Sequence, residues 1–363
     1  MKILQVITSL QTGGAEKLIV DMVPLYSNHG IVVDVLLFDG TDTPFKRKLQ
    51  EKGIRVFQLG YSSCVYNPLF IFKLIPYLGK YDIVHTHITV CQYFVAFAKF
   101  VSRSKVNLVT TEHNTTNRRR SIKGFRIIDK FIYSCYNAII SISHKTTESL
   151  QIYIGNKENI FTITNGINLS VFKDAVALNK EFLVWNKSIL ITMVASFRDK
   201  QKDQDTVIRA MSLLPDNYSL CLIGDGIRRT ICETLVKELH LEKRVIFLGI
   251  RNDVPQLLKT SDIVVMSSHW EGFGLAAVEG MAAGKPVIAS DVPGLAQVVG
   301  DAGLLFPVGD AKELASVMEH LINDEEYYQQ IAQQCLQRAS EYDIRNTVSA
   351  YEKLYGDLLN NHV

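Results

Sequence analysis

The chain carries almost no net charge. In 363 residues, 39 Lys and Arg stand against 37 Asp and Glu, a formal +2. That balance argues against a nucleic-acid protein held by bulk electrostatics, so any basic surface must be local. The six cysteines, Cys64, Cys91, Cys135, Cys221, Cys232 and Cys335, are scattered and form no C-x-x-C. This fits reduced thiols in a cytoplasmic protein better than a disulfide framework. No run of about 20 apolar residues is present for a spanning helix. The opening "MKILQVITSL" is too short for a signal peptide and no cleavage site follows. Low-complexity tracts and short-period repeats are missing too. The expectation is a cytoplasmic protein, with a peripheral position on the inner face of the plasma membrane as a variant of that reading.

What is present is an alternation. Short apolar runs such as "KILQVIT", "VVDVLLF", "DIVHTH" and "NAIISIS" are separated by amphipathic segments such as "AEKLIVDMVPLYSNHG". Continuous apolar strands between helices predict a parallel sheet covered on both faces. The rhythm lapses over 170–187 and restarts with "SILITMVAS", "YSLCLIGDG", "DIVVMSS" and "KPVIASD". The length and the lapse predict two doubly wound α/β domains, 1–170 and 187–342. The tail from "NDEEYYQQ" onward reads as helical throughout. In open parallel sheets ligands bind off the carboxyl ends of the strands, so site residues should follow strands.

Four constellations do so. "TSLQTGGAEK" places Gly13 and Gly14 between a strand and a helix, where backbone amides can meet an anion. An ordinary βα turn explains it equally well. It is not G-x-G-x-x-G, which disfavours an NAD dehydrogenase. His85 and His87 in "DIVHTHIT" share a strand face, but no third ligand stands at metal-site spacing, so no metal is expected. His113 closes a further strand in "VTTEHNTT". In "ASFRDKQKDQD", Arg198, Lys200 and Lys202 sit at a strand–helix junction suited to a diphosphate, or form a solvated basic loop. "DQD" there reads as helix capping rather than a metal motif. Finally, "EGFGLAAVE" joins Glu271 and Glu279 across Gly272, Phe273 and Gly274. On one helix the two acids would lie roughly 12 Å apart along the axis and about 80° out of alignment. They suit two ends of one elongated ligand rather than an acid–base pair, and the loop amides can face phosphate oxygens.

On these residues the chain resembles the retaining glycosyltransferases of family 4, also called glycosyl transferases group 1. The E-x7-E of Glu271 and Glu279 carries most of the likeness, with "GMAAGKPVIASDVPGLAQVV", "LIGDG", "TNGIN", "GGAEK" and "TEHN". The resemblance implies a GT-B fold: two Rossmann-like domains facing a cleft, with a C-terminal helix, 343–363, returning to an acceptor-binding N-terminal domain. It implies a nucleotide-sugar donor, a UDP- or GDP-sugar, in the C-terminal domain and no metal or other cofactor. Glu279 would hold the ribose and Glu271 the transferred sugar. Arg198 and Lys202 would meet the diphosphate, although Arg198 is one position off the family spacing and Lys200 is a substitute for it. His113 would stand near the acceptor hydroxyl and sugar. The implied activity is hexosyl or N-acetylhexosaminyl transfer to a glycan or lipid-linked acceptor in surface polysaccharide synthesis. An epimerase of the same fold and a non-catalytic nucleotide-binding module are the alternatives. Between Lys99 and Lys130, nine Lys or Arg face two acids, and Arg118, Arg119 and Arg120 are consecutive. With Phe94, Phe97 and Phe100 at helix spacing, they suggest a membrane-facing surface; a core-facing row and a solvated loop are the ordinary reading.

Overall fold

The computed structural model describes all residues except 12, 62, 63, 116, 117, 123, 184–187 and 361–363; at 28, 118, 121 and 182 only the backbone is described. The chain divides into Met1–Gly166 with Ile344–Val363, and Ile167–Asp343.

The first unit holds seven strands: β1 (Lys2–Ile7), β2 (Val32–Asp39), β3 (Val56–Gly60), β4 (Ile83–His87), β5 (Asn107–Glu112), β6 (Ala138–Ser141) and β7 (Ile160–Thr162). They pair in the order β3-β2-β1-β4-β5-β6-β7, and every pairing is parallel. The second unit holds β8 (Ile189–Val194), β9 (Tyr218–Ile223), β10 (Val245–Gly249), β11 (Ile263–Met266), β12 (Val287–Ser290) and β13 (Leu304–Phe306). Their order is β10-β9-β8-β11-β12-β13, again all parallel. Both sheets are doubly wound, as the alternating apolar runs require. In each, the strand order reverses once, between β1 and β4 and between β8 and β11. A crevice opens at such a reversal.

One face of the first sheet is covered by the helix Gly14–Tyr26 and by the C-terminal helix Ile344–Leu359. Val348, Tyr351 and Tyr355 of the latter are buried in one cluster with Ile3 and Ile7 of β1. The tail is not one continuous helix. Helix Glu325–Ala339 ends in a single 3-10 turn, Ser340–Tyr342, and Asp343 is extended (φ −68°, ψ 130°). The chain passes between the units here and at Gly166–Ile167. A Cβ on Gly166 would lie 2.7 Å from the Ile344 backbone, so the two crossing segments touch where only glycine fits.

The stretch read as a linker packs, over its described part, on the second unit. Leu178 donates its backbone N–H to Thr260 Oγ1 at 2.8 Å, and Lys180 pairs with Asp262. No helix among the described residues is long and apolar enough to cross a membrane.

Candidate functional site

In the second unit the site is built on the strands that flank the reversal. The segment after β8 runs back along the segment after β11. Lys202 bridges Ser268 in antiparallel fashion, Asp203 N–H donates to Ser267 O at 3.0 Å, and His269 N–H donates to Gln201 O at 2.9 Å. This short ladder brings the Lys202 ammonium onto the Glu271 carboxylate, an ion pair with both side chains largely shielded. Asp203 caps the helix Gln204–Met211 through Thr206 N–H, so the first acid of "DQD" is a cap, and the second, Asp205, pairs with Arg228 at 2.9 Å.

Arg198 and Lys200 are exposed on the same segment. Their backbone is clamped from β9. Phe197 N–H donates to Asp225 O at 3.0 Å, and Arg228 N–H donates to Phe197 O at 2.9 Å. Gly226 has φ +152°, and a Cβ there would stand 2.5 Å from Phe197 C. The glycines of "LIGDG" thus fix the course of the loop that carries Arg198.

Glu271, Gly272, Phe273 and Gly274 lead from β11 into the helix Leu275–Ala282. Gly274 takes φ +98° at the helix start, which an L side chain resists, and a Cβ would strike Leu295 at 2.4 Å. A Cβ on Gly294 would lie 2.2 Å from Glu271 O. The "PGL" turn therefore presses on the loop from behind and holds its backbone in place. Phe273 turns its ring inward against Tyr342, centroids 5.4 Å apart, so only its backbone can serve a ligand. Glu279 lies in the second turn of this helix, 5% exposed.

In the first unit His113 ends a polar chain buried at the carboxyl ends of β4 and β5. His113 Nε2 is 3.0 Å from His87 Nδ1, and His87 Nε2 is 2.7 Å from Gln5 Oε1. Gln5 Nε2 donates to the Tyr355 hydroxyl at 3.4 Å, which lies 2.6 Å from His85 Nδ1; His85 Nε2 meets Thr111 Oγ1 at 2.7 Å. Burial holds all three imidazoles below their ordinary pKa, His113 at about 4. Neutral rings have one donor and one acceptor each. Gln5 Oε1 can only accept, so His87 carries its proton on Nε2 and accepts on Nδ1. His113 must then donate from Nε2, which makes its Nδ1 the lone-pair acceptor.

Gly13 and Gly14 start the helix Gly14–Tyr26, with Gly13 extended (φ −174°). The Glu16 carboxylate lies against Gly13: a Cβ there would meet Glu16 Oε2 at 2.2 Å. The helix start therefore already faces an internal anion.

The arginine run does not form the exposed basic surface its sequence suggests. Arg119 Nε donates to the fully buried Asp129 at 2.9 Å, and Arg120 pairs with buried Glu112 at 3.3 Å. Buried carboxylates need such partners. The Arg118 side chain lies outside the described residues. Phe94 and Phe97 pack against the core, whereas Phe100 is 64% exposed. Among the described residues no group of three His, Cys, Asp or Glu could hold a metal ion.

Two family models match: Glycosyltransferase Family 4 over residues 12–171 and Glycosyl transferases group 1 over 177–338. The N-acetyl-alpha-D-glucosaminyl L-malate synthase of Bacillus anthracis is 30% identical over 286 residues, 77% of this chain and 75% of that protein. The chain belongs to glycosyltransferase family 4. An Escherichia coli UDP-Gal:alpha-D-GlcNAc-diphosphoundecaprenol alpha-1,3-galactosyltransferase is 26% identical over 303 residues, 78% of this chain and 77% of that one. Anabaena HepE, crystallised with UDP and glucose, superposes with a TM-score of 0.87 at 24% identity, covering 98% of this chain and all of HepE. The fold is GT-B.

Sequence reasoning passed over several residues that shape this glycosyltransferase's site. Gly224 and Gly226 steer the Arg198 loop, and Gly294 and Leu295 back the Glu271 loop. Gln5 and Tyr355 set the polarity of the histidine chain. For Gln5 there was a signal: a polar residue in the apolar run "KILQVIT" of a central strand demands a buried partner.

Proposed function

We propose that this family 4 glycosyltransferase transfers a hexosyl or N-acetylhexosaminyl group, with retention, from a UDP- or GDP-sugar to a glycan or lipid-linked acceptor, in the synthesis of a surface polysaccharide. The observation that carries the donor half is the convergence of Lys202 and Glu271 at the β8/β11 reversal, with Arg198 on the same segment and Glu279 on the following helix. The E. coli relative's name specifies a UDP-sugar donor and a diphosphoundecaprenol acceptor, which supports UDP and a lipid-linked acceptor. The names of both relatives specify α products, the outcome that retention gives from an α-linked nucleotide-sugar.

In this reading Glu279 holds the ribose and Glu271 faces the sugar. The bond between the anomeric carbon and the β-phosphate oxygen breaks, and its electron pair leaves with the diphosphate. Lys202 and Arg198, with the amides after Glu271, face the growing charge. Losing one preorganised donor of this kind costs roughly 3–4 kcal/mol of transition-state stabilisation. The acceptor oxygen attacks from the departing side, and its proton passes to the leaving phosphate oxygen. His113, in the acceptor unit, offers the Nδ1 lone pair to a sugar or acceptor hydroxyl. Incubation with a panel of UDP- and GDP-sugars and mass spectrometry of the products tests the reading. A sugar-sized mass gain on a glycan or polyprenyl-diphosphate acceptor supports it; release of a free epimerised nucleotide-sugar contradicts it.

A further inference from the structure

Two helices on the outside of the first unit, Thr89–Ser102 and Phe125–Ser134, expose large apolar side chains where a solvated surface would carry polar ones. Ile127 is 77% exposed, Val101 54% and Phe131 42%, and the rings of Phe100 and Phe131 meet edge to face at 5.9 Å. An open groove of about 660 Å³ runs beside them, lined by Lys99, Phe100, Val101, Arg103 and Cys135 among others. Isolated exposed apolar residues are normal, but Ile127 and Phe131 lie one helical turn apart and Phe131 meets Phe100, and a contiguous group of this kind marks an interaction surface.

The charges that these two helices leave outside the core have one sign. Arg103, Arg126 and Lys130 are exposed at its rim, and Lys99 lies at the groove. Lys157 adds to them: burial and then the Lys130 charge hold its ammonium below the ordinary range, which places the two cations close together. The single acid of "FRIIDKFIYS", Asp129, is fully buried and spent on Arg119, Tyr93 and Tyr153. The second helix thus presents Ile, Phe, Arg and Lys outward and turns its carboxylate in. Large apolar side chains flanked by cations are the pattern of a helix lying in a headgroup layer. A second copy fits poorly, because a two-fold contact sets the same patch against itself and would oppose these cations to one another.

We infer that this face docks on an anionic lipid bilayer, with Phe100, Val101, Ile127 and Phe131 entering the interface and Lys99, Arg103 and Lys130 meeting headgroup phosphates. The inference replaces the arginine run as the membrane contact and does not rest on the sugar chemistry.

The test is flotation of the full chain with phosphatidylcholine vesicles and with vesicles of phosphatidylcholine and phosphatidylglycerol, at low and high salt. Neither contains a polyprenyl lipid, so binding reports the surface and not acceptor recognition. Wild type should bind the mixed vesicles, bind neutral ones far less, and lose binding as salt rises. Phe100→Ser with Phe131→Ser, and separately Lys99→Gln with Arg103→Gln and Lys130→Gln, should each lower the partition coefficient about tenfold or more. An unchanged circular-dichroism unfolding transition shows that each variant is folded. No binding of wild type to anionic vesicles, or variants that bind as tightly as wild type, overturns the inference. So does a wild-type dimer in light scattering that the phenylalanine variant dissociates, which assigns the face to a second copy.

Discussion

Lys202 and Glu271 are ion-paired although 69 residues separate them, because the segments after β8 and β11 form a short antiparallel ladder. The pair sets up a competition. In the proposed reading, a diphosphate arriving at this loop would take over Lys202 and release Glu271 toward the sugar. Glu271→Gln should therefore raise affinity for bare UDP by about fivefold, the equivalent of about 1 kcal/mol, while slowing transfer. Calorimetry showing weaker UDP binding in this variant would remove the competition.

Lys202→Ala should lower UDP affinity by roughly 10- to 150-fold, from about 1.5–3 kcal/mol of charge-assisted bonding, and leave uridine affinity alone. Glu279→Ala should weaken UDP and uridine alike, because the proposed reading places it at the ribose. A uridine affinity equal to wild type in Glu279→Ala would refute that assignment.

The buried histidines give the fold a defined acid sensitivity. His113 has a folded pKa of about 4 and an unfolded value near 6.5, and His85 and His87 lie below the ordinary value as well. Between these values the unfolded chain binds more protons. Stability is therefore full above about pH 6.5 and falls as pH drops toward 4, by about 1.4 kcal/mol per unit for each such histidine. Urea titrations across this range should show the loss reduced in His113→Gln by about one histidine's share. An unchanged slope would place the His113 proton elsewhere.

The polarity of the chain from Tyr355 to His113 predicts one tautomer. Nitrogen-15 spectra should show His113 protonated on Nε2, and Gln5→Leu should scramble that preference and lower transfer while UDP affinity holds. The Nδ1-protonated ring in wild type would contradict it.

Transfer should persist in chelator if, as proposed, Lys202 and Arg198 supply the positive charge at the diphosphate. Activity lost in EDTA and restored by Mg²⁺ or Mn²⁺ would overturn this.

The sheets were legible because each buried strand is a continuous apolar run between amphipathic helices. The placement of Glu271 on a loop and Glu279 on a helix was legible because strand, glycine loop and helix follow one another within a few residues. The Lys202–Glu271 pair was not, since it depends on a ladder between distant loops. Nor was the histidine polarity, which runs from Gln5 to Tyr355 across 350 residues. The arginine run misled for a related reason: Glu112 and Asp129, the two acids counted against it, are the buried groups that draw Arg120 and Arg119 inward. Charge counted along a chain does not reveal which side chains face water.

The central claim is retaining transfer from a donor held by Lys202, Glu271 and Glu279. Its most direct test is the anomeric configuration, by proton NMR, of the product formed from an α-linked UDP-sugar. The account predicts an α-glycoside from wild type and none detectable from Lys202→Ala with Glu279→Ala. A β-glycoside, or a doubly substituted enzyme that transfers at the wild-type rate, would contradict it.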